Sequence, residues 1–130
     1  MSNKAECLFG VEAIIDNIKN KIKMNFINFI DYLIDSVKLD NLLTEMAVDK
    51  KSEALIACLK NSLDVNSEVS IFGIEETDGK LMFEKNGIKF IELFPLEMLQ
   101  EMTIEYVNTY KDMPHHEIAE KLLNYRINDA

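Results

Sequence analysis

The sequence predicts an α+β fold, with N-terminal helices packed on a three-stranded antiparallel β-meander and two C-terminal helices after it. Three observations predict it. Apolar residues recur at helical spacing through the first half, where no glycine or proline occurs between Gly10 and Gly73. Two turn-forming pairs, Asp78-Gly79 and Asn86-Gly87, then punctuate residues 74–95. Pro95 and Pro114 each introduce a further amphipathic stretch. A chain of 130 residues is enough for one core. The expected organisation is a single domain, 1–130, with a helical layer over 1–64, the meander over 67–94 and two helices over 95–127.

The first helical stretch runs from Val11 to Val37, with Ile14, Ile15, Ile18, Ile22, Phe26, Phe29, Ile30, Leu33 and Val37 on one side. It is one long helix, or two with a break near Met24-Asn25. A second helix is expected to open at Asp40, whose carboxylate can cap the free amides of "NLLTEMA". A third is expected from about Ser52 to Leu63, with Leu55, Ile56, Leu59 and Leu63 inward and Asp49 or Ser52 as its cap.

"VNSEVSIFGIEE" is rich in β-branched and aromatic residues and leads into Asp78-Gly79, which reads as a strand entering a type I′ turn. If both X-Gly pairs are two-residue loops, Ile74 faces Phe83, Phe83 faces Phe90 and Lys85 faces Ile88. Phe72, Ile74, Leu81, Phe83, Ile88 and Phe90 then share one face, which the helices are expected to cover. The other face, with Thr77, Lys80, Glu75, Met82, Glu84, Lys89, Ile91 and Leu93, is expected to be left open.

Pro95 suits the first turn of a helix that carries Leu96, Leu99, Met102, Tyr106 and Tyr110 on one side and Glu97, Glu101 and Glu105 on another. In "DMPHHEIAEKLLNYRI", Asp112 is expected to cap a closing helix that turns Ile118, Leu122 and Tyr125 inward.

Charge bounds the function. The net charge is −9, and it is uneven: residues 1–64 hold ten acids against eight lysines, residues 65–130 thirteen acids against six bases. That sign repels nucleic acid and anionic lipid and attracts basic partners. Thirteen of the fourteen bases are lysine, whereas the bidentate phosphate grip belongs to arginine. Neither nucleic-acid nor membrane binding is expected. "KNKIKMNFINFI" could in principle lie on a membrane surface, but Asp16, Asp31 and Asp35 on the same stretch oppose it. No secretory leader pattern is read at the start, so a cytoplasmic location is expected.

The chemistry-bearing residues form no motif. His116 and Glu120 are one helical turn apart, but His115 is the only other histidine, and a zinc site needs three protein ligands. As first-turn residues they fit a helix start equally well. Cys7 and Cys58 lack metal or redox spacing and read as reduced thiols, Cys58 on an apolar helix face. No phosphate-binding glycine loop or nucleophile elbow appears among four glycines. No catalytic residue, metal or cofactor is expected.

The acids are the feature left over. Glu97, Glu101 and Glu105 repel one another at i, i+4 spacing, and no Lys or Arg occurs between Lys89 and Lys111 to relieve them. Glu75, Glu76, Asp78, Glu84 and Glu92 belong to the neighbouring strands, and Tyr106 and Tyr110 are candidate aromatic anchors. A solvated face explains such a stripe; so does a surface shaped for a cationic partner. In size, acidity and lack of catalytic motifs, the chain resembles the small bacterial immunity proteins of contact-dependent inhibition and bacteriocin systems. The resemblance is one of type and carries no residue roles. It implies a tight inhibitor of one cognate toxin, often a basic nuclease, covered through carboxylates that stand in for phosphates. The other reading is a non-enzymatic adaptor that dimerises through the open face of the sheet.

Overall fold

The computed structural model describes residues 23–129. The stretch from Val11 to Ile22 and the Cys7 thiol lie outside them. The described chain begins beside a strand: the Val69 amide donates to the Met24 carbonyl at 2.8 Å, and Asn25 forms a bridge to Glu68. Asn25 then caps helix α1 (Phe26–Leu33), its side chain accepting from the Asn28 amide at 2.9 Å. The helix therefore starts at the break expected near Met24-Asn25. Asp35 caps α2 (Ser36–Glu45) by accepting from the Val37 and Lys38 amides. Asp40, the expected cap, sits inside α2, because Asp35 offers the same carboxylate one turn earlier.

The expected third helix is a strand. β1 (Leu55–Lys60) is central in a four-stranded antiparallel sheet whose order is β2-β1-β4-β3, with β2 Val69–Gly73, β3 Met82–Lys85 and β4 Ile88–Pro95. Ile56 and Cys58 point to one face, Ala57 and Leu59 to the other, and all four are buried. A strand covered on both sides is apolar at every position, and such a run satisfies helical spacing as well.

The second correction concerns the turns. Asn86-Gly87 closes the β3–β4 hairpin in the expected register, with Lys85 opposite Ile88 and Phe83 opposite Phe90. Asp78-Gly79 closes none. Residues Ile74–Thr77 form a single helical turn, α3, and Asp78 ends it in the left-handed region at φ 56°. Ile74 to Leu81 thus carries the chain from β2 at one edge to β3 at the other, and Ile74 does not face Phe83. The three-stranded meander is replaced by a sheet whose order places β1 between its members.

The third correction follows. The helices cover the face expected to be open. α1, α2, α4 (Leu96–Thr109) and α5 (His115–Asp129) pack on Ala57, Leu59, Val69, Ile71, Leu93 and Phe94. A bulge at Ala57/Cys58 sets both Leu93 and Phe94 against Ala57, which turns two successive β4 side chains into this core.

The opposite face holds Ile56, Cys58, Phe72 and Phe90, with Phe83, Ile74 and Ile88 around them. Phe72 and Phe83 come from opposite edges of the sheet, yet their rings meet edge-to-face at 5.1 Å. Phe90 lies 4.9 Å from Phe72 and stacks on Phe83 at 5.6 Å. Rings on strands three places apart can meet only if the sheet curls towards them, so the three aromatics roof this face themselves. Leu81, expected among them, is 61% exposed because it precedes β3 on the far side of the crossover.

Candidate functional site

α4 is built as the sequence anticipates. Pro95 precedes it in extended conformation, and Leu96 and Leu99 are buried against the sheet. Thr103, also buried, donates its hydroxyl to the Leu99 carbonyl at 2.7 Å and so needs no other partner. Met102 and Tyr106 are half-buried, and Tyr110 is 50% exposed at the helix end, stacked on Tyr106 at 6.1 Å. With that side docked, Glu97, Glu101 and Glu105 face solvent. Among the described residues none forms an ion pair with them; the ion pairs there join Lys38 to Asp31, Lys50 to Asp40, Lys60 to Glu68 and Lys85 to Glu76. The like-charge stripe is thus uncompensated within this part of the molecule.

The other candidate acids are distributed around the sheet. Glu75, Glu76 and Asp78 belong to the β2–β3 crossover. Gly73 pairs with Leu55 and Pro95 with Ile56, so α3 and the start of α4 leave the sheet at one end, two strands apart. Glu75 and Glu76 have internal work, however. The Glu75 carboxylate accepts from the Ser52 hydroxyl and from the Glu53 amide at 3.1 Å, and the Ser52 bond chiefly holds its pKa below the usual carboxylate value. Glu76 accepts from the Gly73 amide at 3.0 Å and pairs with Lys85 at 3.0 Å, which ties the crossover to β3. Asp78 is exposed on the turn. Glu84 is exposed on β3, opposite Lys89.

Glu92 stands apart from all of these. It faces Cys58 across the β1–β4 pair, on the aromatic side of the sheet. Burial raises its pKa, and the Arg126 guanidinium, whose Nε donates to the Glu92 carbonyl at 3.1 Å, works against that rise. Burial also pushes the Cys58 thiol up to about 12, with the Glu92 charge adding to it. A thiol so placed has negligible thiolate at neutral pH and is inert as a nucleophile.

Among the described residues no three His, Cys, Asp or Glu side chains come together to hold a metal ion, and no helix is long and apolar enough to cross a membrane. The β1–β2 loop forms an open polar hollow of about 390 Å³, lined by residues including Lys60, Asn61, Asp64 and Glu68. The face on which an adaptor dimer was expected is the one beneath the helices, where Leu93 is buried and Ile91 half-buried. What the sequence reading did not single out is the exposed pair Leu81 and Met82 beside the outer edge of β3, 61% and 55% exposed. Their alternation with charged neighbours was visible, but the strand order that exposes them was not. Comparison with protein-family models, with curated proteins and with solved structures finds no match.

Proposed function

We propose that the protein is an immunity protein, without catalysis of its own, that binds and neutralises a cognate basic toxin domain of nuclease type. The observation that carries this reading is the Glu97, Glu101, Glu105 stripe, held outward on a docked helix with no compensating cation among the described residues. Three carboxylates one turn apart recur every ~6 Å along the helix, close to the phosphate spacing of an extended nucleic-acid strand. A nuclease cleft shaped for that backbone would accept them. The charge would steer encounter, and Tyr106 with Tyr110 beyond the last carboxylate would supply the desolvated anchor that sets the lifetime. Glu97 begins the stripe at the end of the sheet where α3 lies, so exposed Asp78 could widen the contact.

The test is complex formation and inhibition of cleavage with the toxin domain encoded beside this gene. Tight binding is expected, with an association rate that falls steeply as salt rises. Changing Glu97, Glu101 and Glu105 together to Lys is expected to weaken the complex by at least about a hundredfold. No complex with the unaltered protein, or a complex indifferent to that triple change, would discard the proposal.

A further inference from the structure

β3 is an edge strand, and its outer side has no partner among the described residues. Lys85 and Ile88 flank a two-residue turn and so exchange backbone hydrogen bonds, and the Glu92 amide donates to the Leu81 carbonyl at 2.8 Å. Residues 81, 83 and 85 therefore address β4. The N–H and C=O groups of Met82 and Glu84 point away from the sheet. Edges of this kind are commonly protected by charge, a bulge or a covering loop. Here Leu81 and Met82 are the most exposed large side chains of the sheet region.

We infer that this edge joins a second copy of the chain, β3 against β3 in antiparallel orientation about a two-fold axis through Met82. The argument is the pattern of side chains. Only residues whose polar groups point outward can stand opposite one another as hydrogen-bonded pairs, which restricts the register to steps of two. With Met82 opposite Met82 of the second copy, Lys80 stands opposite Glu84 and Glu84 opposite Lys80. On the other face Leu81 meets Phe83 and Phe83 meets Leu81. Every position from 80 to 84 is matched, charge with opposite charge and apolar with apolar.

The neighbouring registers fail on the same criteria. One sets Met82 against Glu84; the next sets Glu84 against Glu84, which is repulsive. The matched register also extends a row that already exists. Ile91 is beside Met82 and Lys89 beside Glu84 in β4, so the apolar and ionic rows continue across the axis. The interface is isologous, and the sheet becomes eight strands wide. It lies on β3, not on the α4 stripe, and stands or falls independently of the toxin reading.

The test uses the full chain. Sedimentation velocity from low micromolar to millimolar concentration is expected to show a monomer–dimer equilibrium; a monomer throughout overturns the inference. Met82→Cys, in a Cys7→Ser background, is expected to oxidise to a covalent dimer. The two Cα atoms of such a pair lie about 5.5 Å apart, within disulfide range. Glu84→Cys serves as the control, because its two copies would be about 13 Å apart along the strands. Cross-linking of Met82→Cys no faster than of Glu84→Cys overturns the inference. Lys80→Glu is expected to raise the dissociation constant at least about tenfold, and Lys80→Glu with Glu84→Lys to restore it. A double exchange that fails to restore dimerisation overturns the register.

Discussion

Asp78-Gly79 and Asn86-Gly87 look alike and have nearly the same backbone. Asp78 and Gly79 have φ of 56° and 72°, Asn86 and Gly87 of 54° and 77°. Yet the second pair joins neighbouring strands, and the first ends a helical turn on a crossover between opposite edges of the sheet. An X-Gly pair specifies a reversal of direction; what stands beside the returning chain is decided elsewhere. Here it is decided by β1, whose apolar run occupies the place next to β2, and by Glu76, which holds the crossover down on Gly73 and Lys85.

The largest test of this contrast removes the ring that draws the two edges together. Phe72→Ala is expected to cost about 3–5 kcal/mol in urea unfolding, because the aromatic roof loses its middle contact with both Phe83 and Phe90. A loss below about 1 kcal/mol would mean that the curl does not depend on the rings.

Thr77→Val separates the two turns more finely. The Thr77 hydroxyl is buried, donates to the Ile74 carbonyl at 3.0 Å and accepts from the Gly79 amide at 3.2 Å. Its loss is expected to cost about 1–3 kcal/mol and to speed amide exchange at Gly79 but not at Gly87. Gly79→Ala and Gly87→Ala are expected to cost roughly 1–2 kcal/mol each and about equally. A Cβ at either site meets nothing within 4 Å, so the cost is the positive φ alone.

The smallest effect is read from pH. Glu75, on the crossover, has a lowered folded pKa, so its contribution is present above the ordinary value of 4.5 and is lost as pH falls below it. Glu92, on the hairpin strand, has a raised folded pKa. Its charge disfavours the fold, fully above that raised value, and the penalty is relieved as pH falls through it. Ser52→Ala is expected to flatten the acid limb of the stability profile, and Glu92→Gln to raise stability at neutral pH. The same sign for both variants would refute the assignment of their environments.

These outcomes bear on what the sequence could disclose. The hairpin at Asn86-Gly87 was legible down to its register, because two local requirements, positive φ and alternation, coincide there. α4 was legible with its acidic stripe, since helical arithmetic needs only neighbours. β1 was not, because Leu55 to Leu59 is apolar at every position and its partners lie far along the chain. With β1 read as helix, β2 and β3 were left as neighbours, and both faces of the sheet were exchanged. The candidate acids divide the same way. Glu97, Glu101 and Glu105 are where their spacing put them, whereas Glu84 and Glu92 depended on strand order and lie on different sides of the sheet.

The stretch at Met24-Asn25 has a consequence for how copies of this protein can accumulate. Of the outward amides of β2, that of Val69 is already taken by Met24 and that of Gly73 by Glu76. A chain with two equally receptive borders could stack without end into a fibril. This one has a guarded border and a receptive one, so strand addition consumes its only growth point and terminates there.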